Sequence, residues 1–193
     1  FYTFGGRALL VYALATYLVA VIEKRAWLGW PALAAGVIGM LYLMVGTGAT
    51  EAAYPAAFLA VGWLVYLGSF AWELRPDSAH WRDVHRHAGL GIAGLTALAC
   101  FTVPDFLTAA AIGAISALVA LWGAAAMIAV HGRLAAAPRA YYVAAVLASV
   151  GTFWLSRYAG LDNPQSWAAP IGVTLIGAGV IMPRDTRMAS HRD

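Results

Sequence analysis

The residues of this chain best suited to chemistry crowd into the stretch from Pro76 to His87, which reads Pro-Asp-Ser-Ala-His-Trp-Arg-Asp-Val-His-Arg-His. If that stretch is helical, His80, Asp83 and His87 stand at i, i+3 and i+7, and 3.6 residues per turn bring them onto one face. Two imidazoles and a carboxylate suit a divalent metal, and open positions on such a site would permit hydrolysis or redox chemistry. The same spacing also suits a short amphipathic helix on the cytoplasmic membrane surface, with His and Arg facing lipid phosphates and Asp paired to Arg. A metal site needs ligands fixed by further hydrogen bonds that the sequence does not display, which favours the amphipathic helix.

A second arrangement uses depth in a membrane. His87 opens one apolar run and His131 closes the next, so both imidazoles are expected at one level on two helices joined by a tight turn at Pro104-Asp105. Such a pair could ligate a haem iron or a chlorin magnesium, with Trp122 or Trp72 against the macrocycle. Alternatively, His131 completes the C-terminal end of its helix, where positive charge is favoured. Other catalytic templates are missing: the sequence has no Gly-rich phosphate loop, no Cys-x-x-Cys and no Gly-x-Ser-x-Gly. Ser69, Ser116, Ser149 and Thr174 are expected to bond to backbone carbonyls, and the mid-span indoles of Trp63 and Trp122 to seek partners within the bundle or on a pigment, quinone or lipid tail. No cofactor is required by the sequence, and an enzyme is the weaker expectation.

The elements that must position these residues follow from composition. The chain has 193 residues, 62% of them hydrophobic and 11% charged, with a mean hydropathy of +0.74. A water-soluble domain carries about 25% charged residues, so too few polar groups remain here to cover a surface against water. Cys100 has no second cysteine to pair with, and the basic residues are scattered, which argues against a disulfide scaffold and against nucleic acid as a partner. The expected class is an all-α polytopic membrane protein.

Seven apolar runs are long enough, or nearly so, to cross a hydrocarbon layer as helices. They are Ala8–Ile22, Ala26–Thr47, Ala52–Trp72, Ala88–Val103, Phe106–Val130, Ala140–Ser156 and Ser166–Met182, arranged as successive hairpins in a single transmembrane domain over residues 1–193. Ten of the twelve Lys and Arg residues follow the odd-numbered runs, and only Arg7 and Arg157 fall on the other side. Since Lys and Arg accumulate in the cytoplasm, the N-terminus is expected outside and the C-terminus inside, in a bacterial cytoplasmic membrane. The chain opens at Phe1 without Met or a leader-like segment, so either a leader was removed or residues precede Phe1.

Pro31, Pro55 and Pro170 are expected in first helical turns, where a missing N–H costs little. Trp27, Trp30, Trp72, Tyr141 and Tyr142 are expected to anchor one interface, and Tyr54, Phe153, Trp154, Tyr158 and Trp167 the other. Rows of small residues such as Ala32-Gly36, Ala35-Gly39 and Gly89-Ala93-Ala97 offer close-packing faces. With these boundaries no span carries Asp, Glu, Lys or Arg, which disfavours a proton pump or ion-coupled transporter. The last span also lacks the Lys that a retinal Schiff base would need. The expected role is an accessory or structural subunit that packs against other integral membrane subunits, with lipid or pigment between them. The alternatives are a carrier or channel for a small neutral or hydrophobic solute, and a metal- or haem-dependent membrane enzyme.

Overall fold

The computed structural model describes residues 1–75, 78–102, 111–160 and 163–181, and among them every regular element is helical. Seven α-helices follow one another: α1 (Tyr2–Ile22), α2 (Gly29–Gly46), α3 (Tyr54–Glu73), α4 (Ala79–Thr102), α5 (Ala111–Leu134), α6 (Pro138–Tyr158) and α7 (Pro164–Ile181). Single 3-10 turns at Ala26–Leu28 and Glu51–Ala53 lead into α2 and α3. Four segments are long and apolar enough to cross a membrane: Tyr2–Ile22, Ala26–Gly46, Glu51–Glu73 and Gly113–Leu134. That is the make-up of a helical membrane protein.

Each predicted run has its helix, but the ends differ. Hydropathy stops counting at the first polar residue, whereas a backbone hydrogen-bond ladder runs on until something breaks it. Thus α1 starts at Tyr2 and takes in Arg7, while α4 starts at Ala79, well ahead of Ala88. The histidine stretch is therefore the beginning of a long helix rather than a separate surface helix, and its Arg82, Asp83 and Arg86 belong to that helix. The expectation of charge-free elements fails at these ends, and likewise at the ends of α3 (Glu73), α5 (Arg133) and α6 (Arg139 and Arg157). Pro164 heads α7, which places Pro170 in the second turn rather than the first. The predicted turn at Pro104-Asp105 lies outside the described residues.

The chain divides into two compact units, Phe1–Ala93 and Gly94–Asp193, with the division falling inside α4, where the sequence predicts one domain. In the first unit, α1 and α2 run antiparallel at very short range. A Cβ placed on Gly6 would lie 2.9 Å from the Gly39 carbonyl oxygen, and one on Gly46 would lie 2.6 Å from the Thr3 nitrogen. Ala32, Ala35 and Gly39 are buried in this contact, as the small-residue rows anticipate. A second crossing joins α3 to α4, where a Cβ on Gly89 would meet the Tyr66 Cβ at 2.7 Å and the Gly62 carbonyl at 2.8 Å.

In the second unit α5 buries Ala114, Ala117, Leu118, Leu121, Ala124 and Ala125, a stripe at helical spacing. The mid-span indole of Trp122 finds its partner on α6: Nε1 donates to the Ala148 carbonyl at 3.2 Å, with the ring lying against Gly151. Thr152 and Ser156 donate back to the carbonyls of Ala148 and Thr152, at 2.8 and 3.0 Å. Ser69 and Ser149, from which such bonds are expected, instead keep buried hydroxyls without a partner among the described residues. Tyr141 is buried and does not serve as an interfacial anchor, whereas Tyr142, Trp27, Trp30 and Tyr158 are exposed.

Candidate functional site

The first half of α4 is the element on which the rest of the first unit converges. Trp81, Val84, His85, Ala88 and Gly89 recur at three- and four-residue intervals and form one buried stripe. Trp81 and Val84 meet Gly29 of α2, His85 meets Tyr17 of α1 and Gly68 of α3, and Gly89 meets Tyr66 of α3. The indoles of Trp72 and Trp81 stack with ring centres 5.1 Å apart and an interplanar angle of 17°. Tyr17 stands edge-on to both Trp81 and His85, each at 5.7 Å.

At the centre of this aromatic cluster is His85, only 5% exposed. Its Nδ1 lies 2.8 Å from the Trp81 carbonyl oxygen, and its Nε2 lies 2.9 Å from the Tyr17 hydroxyl. A carbonyl can only accept, so Nδ1 carries the proton, and in the neutral ring Nε2 accepts from the Tyr17 O–H. The imidazole lies ahead of the apolar run that begins at Ala88, and burial pushes its pKa below the ordinary histidine value, partly opposed by the bond to the Trp81 carbonyl. Gly68 makes room for the ring, since a Cβ there would stand 3.1 Å from the His85 Cδ2.

This pair forms the polar end of a groove of about 390 Å³ walled by Ala13, Leu14, Leu33, Val37, Leu64 and Val65. Tyr17 and His85 supply the polar atoms in an otherwise aliphatic lining. Chemically, the arrangement can hold a small apolar molecule against one hydrogen-bonding pair. The cluster is buttressed from the basic end. The Arg75 guanidinium lies over the Trp72 ring at 5.0 Å. Ser78 donates to the Trp72 carbonyl and, at 2.6 Å, to that of Arg75. Arg86 pairs with Glu73, with its guanidinium 5.8 Å from the Phe70 ring centre.

The residues singled out from the sequence occupy the opposite side of α4. His80 and His87 are exposed, Asp83 is half-buried, and all three line one recess with Lys24 and Trp27. Asp83 pairs with Arg82 at 3.3 Å, and His87 Nδ1 is turned to the Asp83 carbonyl at 2.8 Å. Among the described residues no three of His, Cys, Asp and Glu form a group that could hold a metal ion. His87 belongs to the first unit and His131, in the last turn of α5, to the second. Trp72, an expected anchor and macrocycle contact, is stacked inside the aromatic cluster instead.

Neither Tyr17 nor His85 is among the residues expected from the sequence to carry chemistry. The signal that marks His85 is helical phase, because it shares its stripe with Trp81, Ala88 and Gly89 while His80, Asp83 and His87 do not. No such signal marks Tyr17, whose partner is 68 residues away. No protein-family model, curated protein or solved structure matches this chain.

Proposed function

We propose that this chain is an integral membrane subunit of accessory or structural kind. In this reading all seven helices cross a bacterial cytoplasmic membrane, with the N-terminus outside and the C-terminus in the cytoplasm. Other integral membrane subunits pack against it, with lipid or pigment filling the contacts. The observation that carries the proposal is the bareness of α1. Of its 21 residues only Gly6, Ala13 and Ala20 are buried, while Val11, Leu14, Leu18, Val19 and Ile22 are exposed. Tyr17 turns inward to His85, but this row of exposed apolar side chains is left to face lipid or another helix. The test is native mass spectrometry of the chain extracted gently from its own membrane. Stoichiometric protein partners support the accessory role, and a solitary chain overturns it.

The apolar groove supports a second reading, a carrier for a small neutral or hydrophobic solute. A volume of about 390 Å³ is within the range of small-molecule sites, and its single polar pair would orient a solute. Uptake of a neutral solute into vesicles bearing the purified chain, lost on Gly68→Leu, supports the carrier. Uptake equal to that of empty vesicles rules it out.

A further inference from the structure

Lys24 ends α1 in a conformation that lysine rarely adopts. Its φ is +54°, the Arg25 N–H reaches back to the Ala20 carbonyl at 2.9 Å, and the Lys24 N–H reaches Val21 at 3.3 Å. This is the closing turn in which the left-handed residue is usually glycine, because a Cβ there is strained by about 1 kcal/mol. Ala136 closes α5 the same way, with φ +51°, but carries no charge.

What distinguishes Lys24 is its surroundings. It lines a recess of about 420 Å³ together with Arg75, Ser78, His80, Trp72 and Trp81. It also lines the neighbouring one of about 530 Å³, where the exposed indoles of Trp27 and Trp30 stand. No carboxylate among the described residues lines the first recess, and neither Lys24 nor Arg75 has an ion-pair partner among them. The Arg75 guanidinium lies over the Trp72 ring. Two cations with no ion-pair partner among the described residues, and an imidazole beside them around one cavity, make a receptor for a phosphate ester. Indoles beside it are the side chains that settle at lipid headgroup depth.

We propose that the recess between Lys24, Arg75 and His80 binds the phosphate of an anionic lipid headgroup. Basic pockets between membrane helices recognise such headgroups through charge and hydrogen bonds. The proposal depends on the chain being a membrane protein with this end at the headgroups, and it is independent of any protein partner.

The test titrates the full chain, in uncharged detergent, with phosphatidylglycerol, with phosphatidylcholine and with inorganic phosphate, and counts bound lipid by native mass spectrometry. Phosphatidylglycerol is expected to be retained at one per chain in preference to phosphatidylcholine. That preference is expected to fall about fivefold for each cation removed, in Lys24→Gly and in Arg75→Gln. Lys24→Gly is the informative variant, since glycine relieves the backbone strain: it should unfold no earlier than the native chain while losing the lipid. Ala136→Gly gives the same relief and should keep the lipid. Equal retention of both lipids, or a preference that survives the Lys24→Gly/Arg75→Gln double substitution, overturns the proposal. Displacement of the lipid by millimolar inorganic phosphate overturns the lipid as the source and assigns the recess to a free phosphate compound.

Discussion

His85 Nδ1–H is held by the Trp81 carbonyl and Nε2 by the Tyr17 hydroxyl, so both ring nitrogens are satisfied in the neutral state. Tyr17→Phe deletes one hydrogen bond to a buried acceptor and is expected to lower the unfolding free energy by about 1 kcal/mol, with His85→Leu costing about 1–3 kcal/mol. The double variant should lose less than the sum, because the second deletion has nothing left to break. Denaturant unfolding in detergent measures all three, and strict additivity would show that the two side chains are energetically independent. The pH dependence has a definite sign. The unfolded imidazole takes up its proton near pH 6.5, whereas burial holds the folded one below that value. The contribution of His85 is therefore complete above the unfolded pKa and is lost as pH falls through the folded one. Melting temperatures measured between pH 7 and pH 5 should fall more steeply for the native chain than for His85→Leu. Parallel curves would mean that His85 does not contribute to the slope.

At the scale of the helix, α4 was only half legible in advance. Its apolar half, from Ala88, stands out by hydropathy, but its polar half continues the same ladder because nothing between Ala79 and Ala88 interrupts it. Once the helix is drawn whole, Trp81, Val84, His85, Ala88 and Gly89 align by spacing alone. The crossing with α3 is set by Gly89, where added bulk would meet the Tyr66 Cβ and the Gly62 backbone rather than a flexible side-chain end. Gly89→Ala is therefore expected to destabilise the chain by about 1–3 kcal/mol through overpacking, although alanine is the better helix former. Gly91, with open space around its Cβ position, is the control: Gly91→Ala should be neutral or stabilising. Thermal unfolding of the two variants side by side decides the matter, and equal melting would remove the close crossing from the account.

For the whole molecule, the proposed seven-crossing orientation makes a prediction that the native chain is suited to test, since Cys100 is buried and should be silent to labelling. With the N-terminus outside, Thr50→Cys before α3 should react with a membrane-impermeant maleimide on intact cells. Ala135→Cys after α5 should react only after permeabilisation, and the opposite pattern would invert the topology. The membrane class, the all-helical build and the place of each helix along the chain were determined by the sequence itself. Solvent preference and helix length are sums over neighbouring residues, which composition already contains. The tertiary structure alone decided which histidine is buried, that Trp72 stacks on Trp81 while Trp27 and Trp30 stay outside, and that Tyr141 turns inward while Tyr142 does not. It also brought Tyr17 to His85 and placed Lys24 beside Arg75. Those facts depend on the rotational phase of one helix against another, and that phase is set where glycines let backbones touch, a non-local quantity that no window of sequence carries.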